Sequence, residues 1–148
     1  MKKLYFAHPV NTYGQPIESD LVEFIRLSFQ DWDIENPNQK KHQDGYADFK
    51  KRTGNGMNYF FDEVLPSMDG VIGMPFLDGK IGAGVFGEEE NIFKRTGNLW
   101  TITHDKVLSR INDVFVLKPF ALTPDETRPR VYIDGKRENG MKDYFDKA

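Results

Sequence analysis

Apolar residues recur along the chain in two patterns, one typical of buried strands and the other of amphipathic helices. Short apolar or alternating runs predict strands at residues 4–7, 32–35, 70–74 and 99–102. Apolar residues three and four positions apart predict helices at residues 18–29, 57–68 and about 84–95. Strands that alternate with helices favour an α/β fold with a mainly parallel sheet.

Weaker signals lie between and after these elements. A polar helix is predicted over residues 43–52, where glycines at 54 and 56 end it. The capping box Thr123-Pro124-Asp125-Glu126 predicts a short helix. Residues 114–117 fit a fifth strand or part of a lid, residues 130–133 fit a further strand, and residues 107–111 are ambiguous. The charged tail, residues 136–148, is expected to fray.

The predicted topology brings three polar segments to one edge of the sheet. In α/β folds, ligands bind beyond the carboxyl ends of the parallel strands. The loop that begins at His8, the loop after Met74 and the amino end of the helix near Gly84 all lie at that edge. We therefore expect a sizeable pocket there, in a single-domain Rossmann-like (flavodoxin-like) α/β fold over residues 1–148, with helices flanking the mainly parallel sheet.

Composition and charge narrow the classes of function. The chain has 148 residues, a net charge of −3 and no cysteine. One domain is therefore expected, and thiol catalysis, disulfides and thiolate metal sites are excluded. The three histidines form no metal-binding pair at helical spacing. No charge block indicates a nucleic-acid partner, and no signal peptide or membrane-length apolar run is recognisable, so a cytoplasmic protein is the simplest expectation.

The glycine-rich segment at residues 82–87 has two interpretations. Its sequence, Gly82-Ala83-Gly84-Val85-Phe86-Gly87, matches the G-x-G-x-x-G dinucleotide fingerprint. That fingerprint normally lies in the first strand–helix turn, whereas this segment follows the third predicted strand. A dinucleotide-dependent oxidoreductase is therefore disfavoured, and the glycines are better explained by a backbone that comes close to a ligand.

Glu88 is the carboxylate best placed for chemistry. Gly84 lies four residues earlier on the same helix face, and its missing side chain leaves room for a substrate over the carboxylate. A carboxylate nucleophile needs such an opening, with a second acid or a hydrogen-bond donor nearby. Glu89 and Glu90 are explained more simply, as acids that complement the helix dipole.

Asp62 and Tyr5 are the candidate companions of Glu88. Asp62 lies beside the apolar face of the 57–68 helix, where it can reach the sheet edge or remain a surface residue. Tyr5 fits the core of the first strand, but a buried hydroxyl needs a partner, which a carboxylate would supply. Asn58 shares the polar face of Asp62, and Asp78 is either a turn residue or a ligand contact.

The order of these residues resembles the nucleoside 2-deoxyribosyltransferase family and, more broadly, the nucleoside and nucleotide N-glycosidases. Lys3-Leu4-Tyr5-Phe6-Ala7-His8-Pro9 is similar to the family's first strand with its tyrosine. Asp62 followed by Asp69-Gly70-Val71-Ile72 resembles the family's helix Asp and the acid before its third strand. Gly84-Val85-Phe86-Gly87-Glu88 resembles its glycine and catalytic Glu. The match spans about residues 3–102, and residues 103–148 match poorly.

The resemblance implies a mechanism. Glu88 would attack the anomeric carbon of a 2′-deoxynucleoside, Tyr5 would orient the carboxylate, and Asp62 would bind a sugar hydroxyl or help to protonate the departing base. A second base would then accept the sugar with net retention, as in retaining glycosidases. Water as the acceptor would make the same site a hydrolase. The resemblance implies neither a metal nor a redox cofactor.

The expected partners are a nucleoside and a free base, and the expected substrate contacts are His8, Asn11, Asn58, Asp78, Gly82 and Gly84. His8 can touch the substrate or cap its own loop. The loop at residues 8–14 contains no Arg or Lys, which favours a nucleoside, although Asn11 and backbone amides can also bind a phosphate.

Two expectations concern the protein as a whole. The family often completes its site from a neighbouring subunit, which implies a homo-oligomer. The alternative from another class is a non-catalytic nucleoside- or nucleotide-binding module, in which Glu88 is only an acid near the start of a helix. The position of the Glu88 carboxylate, inside or outside a pocket, discriminates between the enzyme and the binding module.

Overall fold

The computed structural model describes residues 1–56, 58–133 and 136–137. Five strands form one sheet in the order β2-β1-β3-β4-β5. They are β1 (Lys2–Ala7), β2 (Trp32–Glu35), β3 (Gly70–Gly73), β4 (Leu99–Ile102) and β5 (Leu108–Ile111). β1 pairs in parallel with β2 and β3, β3 pairs in parallel with β4, and β5 is antiparallel to β4. The prediction of an α/β fold with a mostly parallel sheet is confirmed.

The α-helices that flank the sheet are α1 (Pro16–Ser28), α2 (Lys40–Thr53), α3 (Ala83–Thr96) and α4 (Pro124–Val131). α1 begins two residues before the predicted start because Pro16 occupies its first turn, where a missing N–H costs nothing. α2 begins three residues early and ends at Gly54, which has the left-handed φ of +79° that favours glycine. α4 begins where the capping box predicted.

The predicted helix over residues 57–68 is wrong as a single regular element. A π-helical turn occupies Phe60–Val64 and a 3₁₀ turn occupies Leu65–Ser67, while residue 57 lies outside the described residues. The N–H of Leu65 bonds the carbonyl of Phe60, five residues back. Pro66 has no N–H and restricts the residue before it, so the regular α ladder cannot continue through this point.

The later part of the chain also differs from the prediction. The ambiguous residues 107–111 contain β5, and residues 114–117 contain a 3₁₀ turn, Val114–Val116, in place of a strand. The strand predicted at 130–133 begins only at Tyr132, where β6 (Tyr132–Ile133) pairs with β7 (Lys136–Arg137). The prediction for the rest of the tail, residues 138–148, lies outside the described residues. No described helix has the length and apolarity needed to span a membrane.

The two faces of the sheet bury different elements. Leu4 and Phe6 of β1 pack with α1 on one face. Tyr5 and Ala7 point to the opposite face, where they pack with α3 and with the 58–68 segment. This alternation follows from the two-residue period of a strand. It places the Tyr5 ring under α3, at the end of the sheet where β1 and β3 stop.

Burial on α1 gives a test of this packing. Leu21 is fully buried against the sheet, whereas Leu27 on the same helix is 61% exposed. We expect Leu21→Ala to lower the free energy of unfolding by about 3 kcal/mol, because it removes core contacts and leaves a cavity. Leu27→Ala should change it by less than about 0.5 kcal/mol. Urea denaturation of both variants measures the difference, and equal losses would contradict the assigned face of α1.

Candidate active site

A cavity of about 520 Å³ lies beyond the carboxyl ends of β1 and β3. The Tyr5 and Glu88 side chains line it together with the glycines that open α3. Its described lining residues are Tyr5, His8, Pro9, Val10, Tyr13, Pro37, His42, Gln43, Tyr46, Phe60, Phe61, Phe76, Gly82, Gly84, Val85, Glu88, Thr127 and Val131. This position is the one at which open α/β sheets bind ligands.

The central polar contact of the cavity joins Tyr5 to Glu88. The Tyr5 hydroxyl donates a hydrogen bond of 2.5 Å to Glu88 Oε2. The Tyr5 side chain is almost fully buried, while Glu88 keeps part of its surface open to the cavity. A strand residue and a helix residue 83 positions apart therefore share one short, charge-assisted bond.

Burial changes the acidity of both groups. Desolvation raises the pKa of Glu88 to about 7, and the hydrogen bond from Tyr5 opposes that rise only in part. Desolvation, with the nearby Glu88 charge, raises the pKa of Tyr5 well above its ordinary value, so Tyr5 stays a hydrogen-bond donor. At neutral pH, Glu88 is accordingly divided between its acid and its carboxylate form.

Two glycines of the α3 start shape the space over Glu88. A Cβ built on Gly84 would meet no atom within 4 Å, so any side chain there would project into open space. Gly84 and Gly82 both line the cavity. The space that the sequence predicted beside Glu88 is therefore present in the structure.

Aromatic rings form much of the remaining wall. Phe61 packs against Gly87, and Phe76 packs against Gly82, so rings lie on both sides of the first turns of α3. Tyr13, Tyr46 and Phe60 complete the set of rings. Sequence reasoning missed these residues because neither a loop position nor a helical pattern shows whether an aromatic side chain faces a cavity, the core or the surface. It also missed Gln43 and His42, which come from the helix predicted only weakly.

His8 lines the cavity and also caps its own loop. Its Nδ1 lies 2.9 Å from the Phe6 carbonyl and its Nε2 lies 2.7 Å from Glu18 Oε2. Glu18 also accepts bonds from the Gly14 amide and the Asn38 side chain. Against the effect of burial, the hydrogen bond with His8 and these two bonds hold the pKa of Glu18 below its ordinary value. Both His8 nitrogens are thus occupied by protein acceptors, and the ring presents its edge and face to the cavity.

His42 is held in a second network beside the cavity. Its Nε2 lies 2.5 Å from Glu35 Oε1, and its Nδ1 lies 2.9 Å from the Tyr59 hydroxyl. Glu35 also pairs with Lys41, and the bonds from Lys41 and His42 lower its pKa against the opposing effect of burial. Both nitrogens of the second histidine are therefore also occupied.

Four predicted site residues lie away from the described lining of the cavity. Asp62 is exposed on the π-helical turn, and Asn58 is exposed just before it. The irregular geometry forced at Pro66 directs Phe60 and Phe61, rather than Asp62, to the cavity wall. Asp78 forms a two-pronged ion pair with Arg130, at 2.8 and 3.0 Å, which lowers its pKa despite some burial.

Asn11 is the fourth of these residues. It is fully buried, and its amide nitrogen donates to the Arg130 carbonyl at 3.3 Å. Its Oδ1 has no hydrogen-bond partner among the described residues. Asn11 therefore joins the loop after β1 to α4 rather than contributing to the described cavity wall.

α4 closes one side of the cavity. The Thr127 hydroxyl accepts a hydrogen bond of 2.9 Å from the Ala83 amide, at the first residue of α3. The Arg130–Asp78 pair fixes the other end of α4, and the guanidinium lies 5.0 Å from the centre of the Phe76 ring. Thr127 and Val131 thus become wall residues, although the chain after residue 102 offered no sequence signal for this role.

Glu89 does not behave as a dipole-complementing surface acid. It is 1% exposed, lies beyond the first turn of α3, and places its carboxyl group directly over the Cα of Gly73 in β3. Its Oε1 has no hydrogen-bond partner among the described residues. Burial, with a smaller contribution from Glu88, raises the pKa of Glu89 to about 8. Two adjacent residues of one helix, the half-buried Glu88 and the buried Glu89, are therefore acids with raised pKa values.

Comparisons of this chain with protein-family models, with curated proteins and with solved structures give no match. The site must therefore be interpreted from its own geometry. In the described part of the chain, no three His, Asp or Glu side chains are grouped so that they could hold a metal ion.

The buried Glu89 predicts an unusual dependence of stability on pH. Its folded-state pKa lies above the ordinary value of 4.5, so the folded protein keeps a proton that the unfolded chain has released. The free energy of unfolding should therefore fall as the pH rises from 4.5 to 8. Glu89→Gln should remove up to about 1.4 kcal/mol per pH unit of this slope.

Urea denaturation between pH 4.5 and 8.5 measures this effect. Glu90→Gln is the matched control, because Glu90 lies on the same helix but is partly exposed and faces Lys94 at 3.7 Å. The control should keep the wild-type slope. An unchanged slope in Glu89→Gln would contradict the burial of Glu89 as an acid.

Proposed function

We propose that this protein cleaves the N-glycosidic bond of nucleosides, with Glu88 as the nucleophile. The observation that carries the proposal is the Glu88 carboxyl group on the wall of the cavity, held by the Tyr5 hydroxyl at 2.5 Å. A nucleophilic carboxylate needs an opening for the sugar and a donor that fixes its orientation. Gly84 supplies the opening, and Tyr5 is the donor.

The reaction would proceed in two steps. The Glu88 carboxylate attacks the anomeric carbon, and the bond to the base breaks as the glycosyl ester forms. An acceptor then attacks the same carbon from the opposite side and releases Glu88, so the two inversions give net retention. A second base as acceptor makes the protein a 2-deoxyribosyltransferase, and water makes it a hydrolase.

The cavity suits a flat base attached to a sugar. Its volume of about 520 Å³ is within the range of small-molecule sites. Tyr13, Tyr46, Phe60, Phe61 and Phe76 offer rings on which a base can stack. No Lys or Arg is among the described lining residues, which favours a nucleoside over its phosphate ester.

The strand order supports the finer assignment to a Rossmann-like, flavodoxin-like fold. That fold has the order 2-1-3-4-5 and binds its ligand where the order reverses, between β1 and β3. This chain has the same order, and its cavity lies at the ends of those two strands. The antiparallel β5 is the departure from that pattern.

The proposal assigns no role to Asp62, which is exposed outside the described cavity wall. This position favours one alternative, a nucleoside-binding module that does not turn over its ligand. The two functions differ in what Glu88 does, because a binding module needs only its hydrogen bonds and an enzyme needs its nucleophilic oxygen.

Base release by three variants, Glu88→Gln, Glu90→Gln and Tyr5→Phe, tests the proposal. The substrates are 2′-deoxynucleosides and their 5′-monophosphates, with and without an acceptor base, and chromatography measures the free base. We expect Glu88→Gln to reduce release by about 10³-fold or more, because the amide cannot form the glycosyl ester. Glu90→Gln, on the same helix but outside the described wall, should retain wild-type release.

The pH dependence of base release tests whether Glu88 acts as a nucleophile or only as a hydrogen-bonding residue. Release by the wild type should rise with pH and level off above about 7, since Glu88 must be ionised to attack. The hydrogen bond from Tyr5 lowers the pKa of Glu88, so Tyr5→Phe should shift the profile to higher pH. Nucleoside binding without any release, unchanged in Glu88→Gln, would leave the binding module as the function.

Gly84 offers a steric test that does not touch Glu88. Gly84→Leu should abolish nucleoside binding, because the new side chain enters the cavity, and it should leave the melting temperature unchanged or raised. Gly84→Ala is the matched control and should retain most binding. Calorimetric titration and thermal melts check both variants, and undiminished binding by Gly84→Leu would place the nucleoside elsewhere.

A further inference from the structure

The charges of the residues around the cavity restrict which bases can act as the leaving group of the proposed reaction. Among the described lining residues, Glu88 is the only carboxyl group, and none is Lys or Arg. The His8 ring in the wall lies against the Glu18 carboxylate, with His8 Nε2 2.7 Å from Glu18 Oε2. His42 lies against the Glu35 carboxylate. The Arg130 guanidinium behind Phe76 is neutralised by Asp78.

Apart from the phenols of Tyr13 and Tyr46, no described side chain of the wall is positioned as a general acid for a departing base. Both nitrogens of His8 and of His42 already face protein partners. The Thr127 hydroxyl donates to the Thr123 carbonyl. The Tyr5 hydroxyl donates to the nucleophile itself.

The carboxyl groups outside the wall do not fill this role. Asp62 is exposed on the π-helical turn, and Asp78 is bound by Arg130. Glu89 lies over Gly73, under α3, and is not among the residues that line the cavity.

A wall with so few proton donors favours a cationic base over a neutral base as the leaving group. A neutral base leaves as an anion unless it is protonated, and general acid catalysis of that proton transfer contributes about 10²–10⁴ in rate. A base whose ring already carries a positive charge conjugated with the glycosidic nitrogen needs no proton. The electron pair of the broken bond neutralises its ring, and it leaves as a neutral molecule.

The walls of the cavity also suit a positive ring. Aromatic faces attract cations within about 6 Å of the ring centre, and aromatic cages bind quaternary nitrogens. Here six Phe and Tyr residues line a site with one carboxyl group and no described Lys or Arg, and its two histidines, His8 and His42, each lie against a carboxylate. A cationic base would gain from the rings and from Glu88 together.

We infer that the substrates of this site are nucleosides with a permanently cationic base, a pyridinium or an N7-alkylated purine, and without a phosphate group. The inference rests on the proposed function of Glu88. The Glu88 carboxylate bonds to the anomeric carbon, the C–N bond breaks, and its electron pair passes to the ring nitrogen. Water then attacks the glycosyl ester, which releases the sugar, the Glu88 carboxylate and one proton.

Matched substrates that differ in charge test the inference. 7-Methylguanosine and guanosine differ by one methyl group and one positive charge, and nicotinamide riboside with its 5′-phosphate tests the pyridinium and the phosphate. We expect kcat/KM to be at least about 10²-fold higher for 7-methylguanosine than for guanosine. Nicotinamide riboside should be cleaved faster than its phosphate, and Glu88→Gln should lose release from every substrate.

A binding measurement avoids any dependence on turnover. 1-Methylnicotinamide is a pyridinium without a glycosidic bond, and nicotinamide is its neutral counterpart. Calorimetric titration should show the cation bound at least about tenfold more tightly. Glu88→Gln should remove most of that preference. Equal affinity for the two compounds would overturn the inference.

The outcomes separate this inference from the proposed function. Cleavage of 7-methylguanosine and guanosine at equal kcat/KM, lost in Glu88→Gln, would overturn the cationic class and leave the N-glycosidase intact. Cleavage of none of these ribonucleosides would overturn the inference, while the proposed function would still be decided by base release from the 2′-deoxynucleosides. Cleavage of the cationic nucleosides, at a rate that rises with pH and then stays level, supports both the inference and the proposed function. A general acid that had to protonate the base would lose its proton at high pH, and the rate would then fall.

Discussion

The hydrogen bond between Tyr5 and Glu88 is the interaction on which the rest of the site depends. Tyr5 is fixed by the sheet, since β1 lies between β2 and β3 and is buried on both faces. Glu88 is fixed by α3, which packs on the same face. A hydroxyl or carboxyl group that loses water without gaining a partner costs free energy, and this hydrogen bond ties α3 to β1 in addition to the apolar packing of Val85 and Ile92.

α3 carries two acids in succession, the half-buried Glu88 and the buried Glu89, and they contribute in different ways. Glu88 has a donor and an opening, so its ionised form can act on a ligand. Glu89 lies over Gly73 and has one carboxyl oxygen without a described partner, so its neutral form is favoured. Folding must desolvate both groups, and this desolvation costs stability at this point of the fold.

The remainder of the cavity is apolar and is built from distant segments. Rings come from the loop after β1, from α2, from the π-helical turn and from the segment after β3. α4 completes the wall through Thr127 and its hydrogen bond to the first residue of α3. Glu18, Glu35 and Asp78 near this wall are paired with partners in the protein, and Glu88 is the one carboxyl group among the described lining residues.

The sequence by itself determined the main strands, α1, α3 and the start of α4, because their periods and caps are properties of short contiguous segments. It also determined that Gly84 leaves space beside Glu88, since that spacing lies within one helix. Only the tertiary structure decided that Asp62 is exposed, that Glu89 is buried, and that Tyr46, His42 and Thr127 reach the cavity. Those outcomes depend on which faces of distant elements meet and on how Pro66 redirects its turn, and no local pattern contains that information.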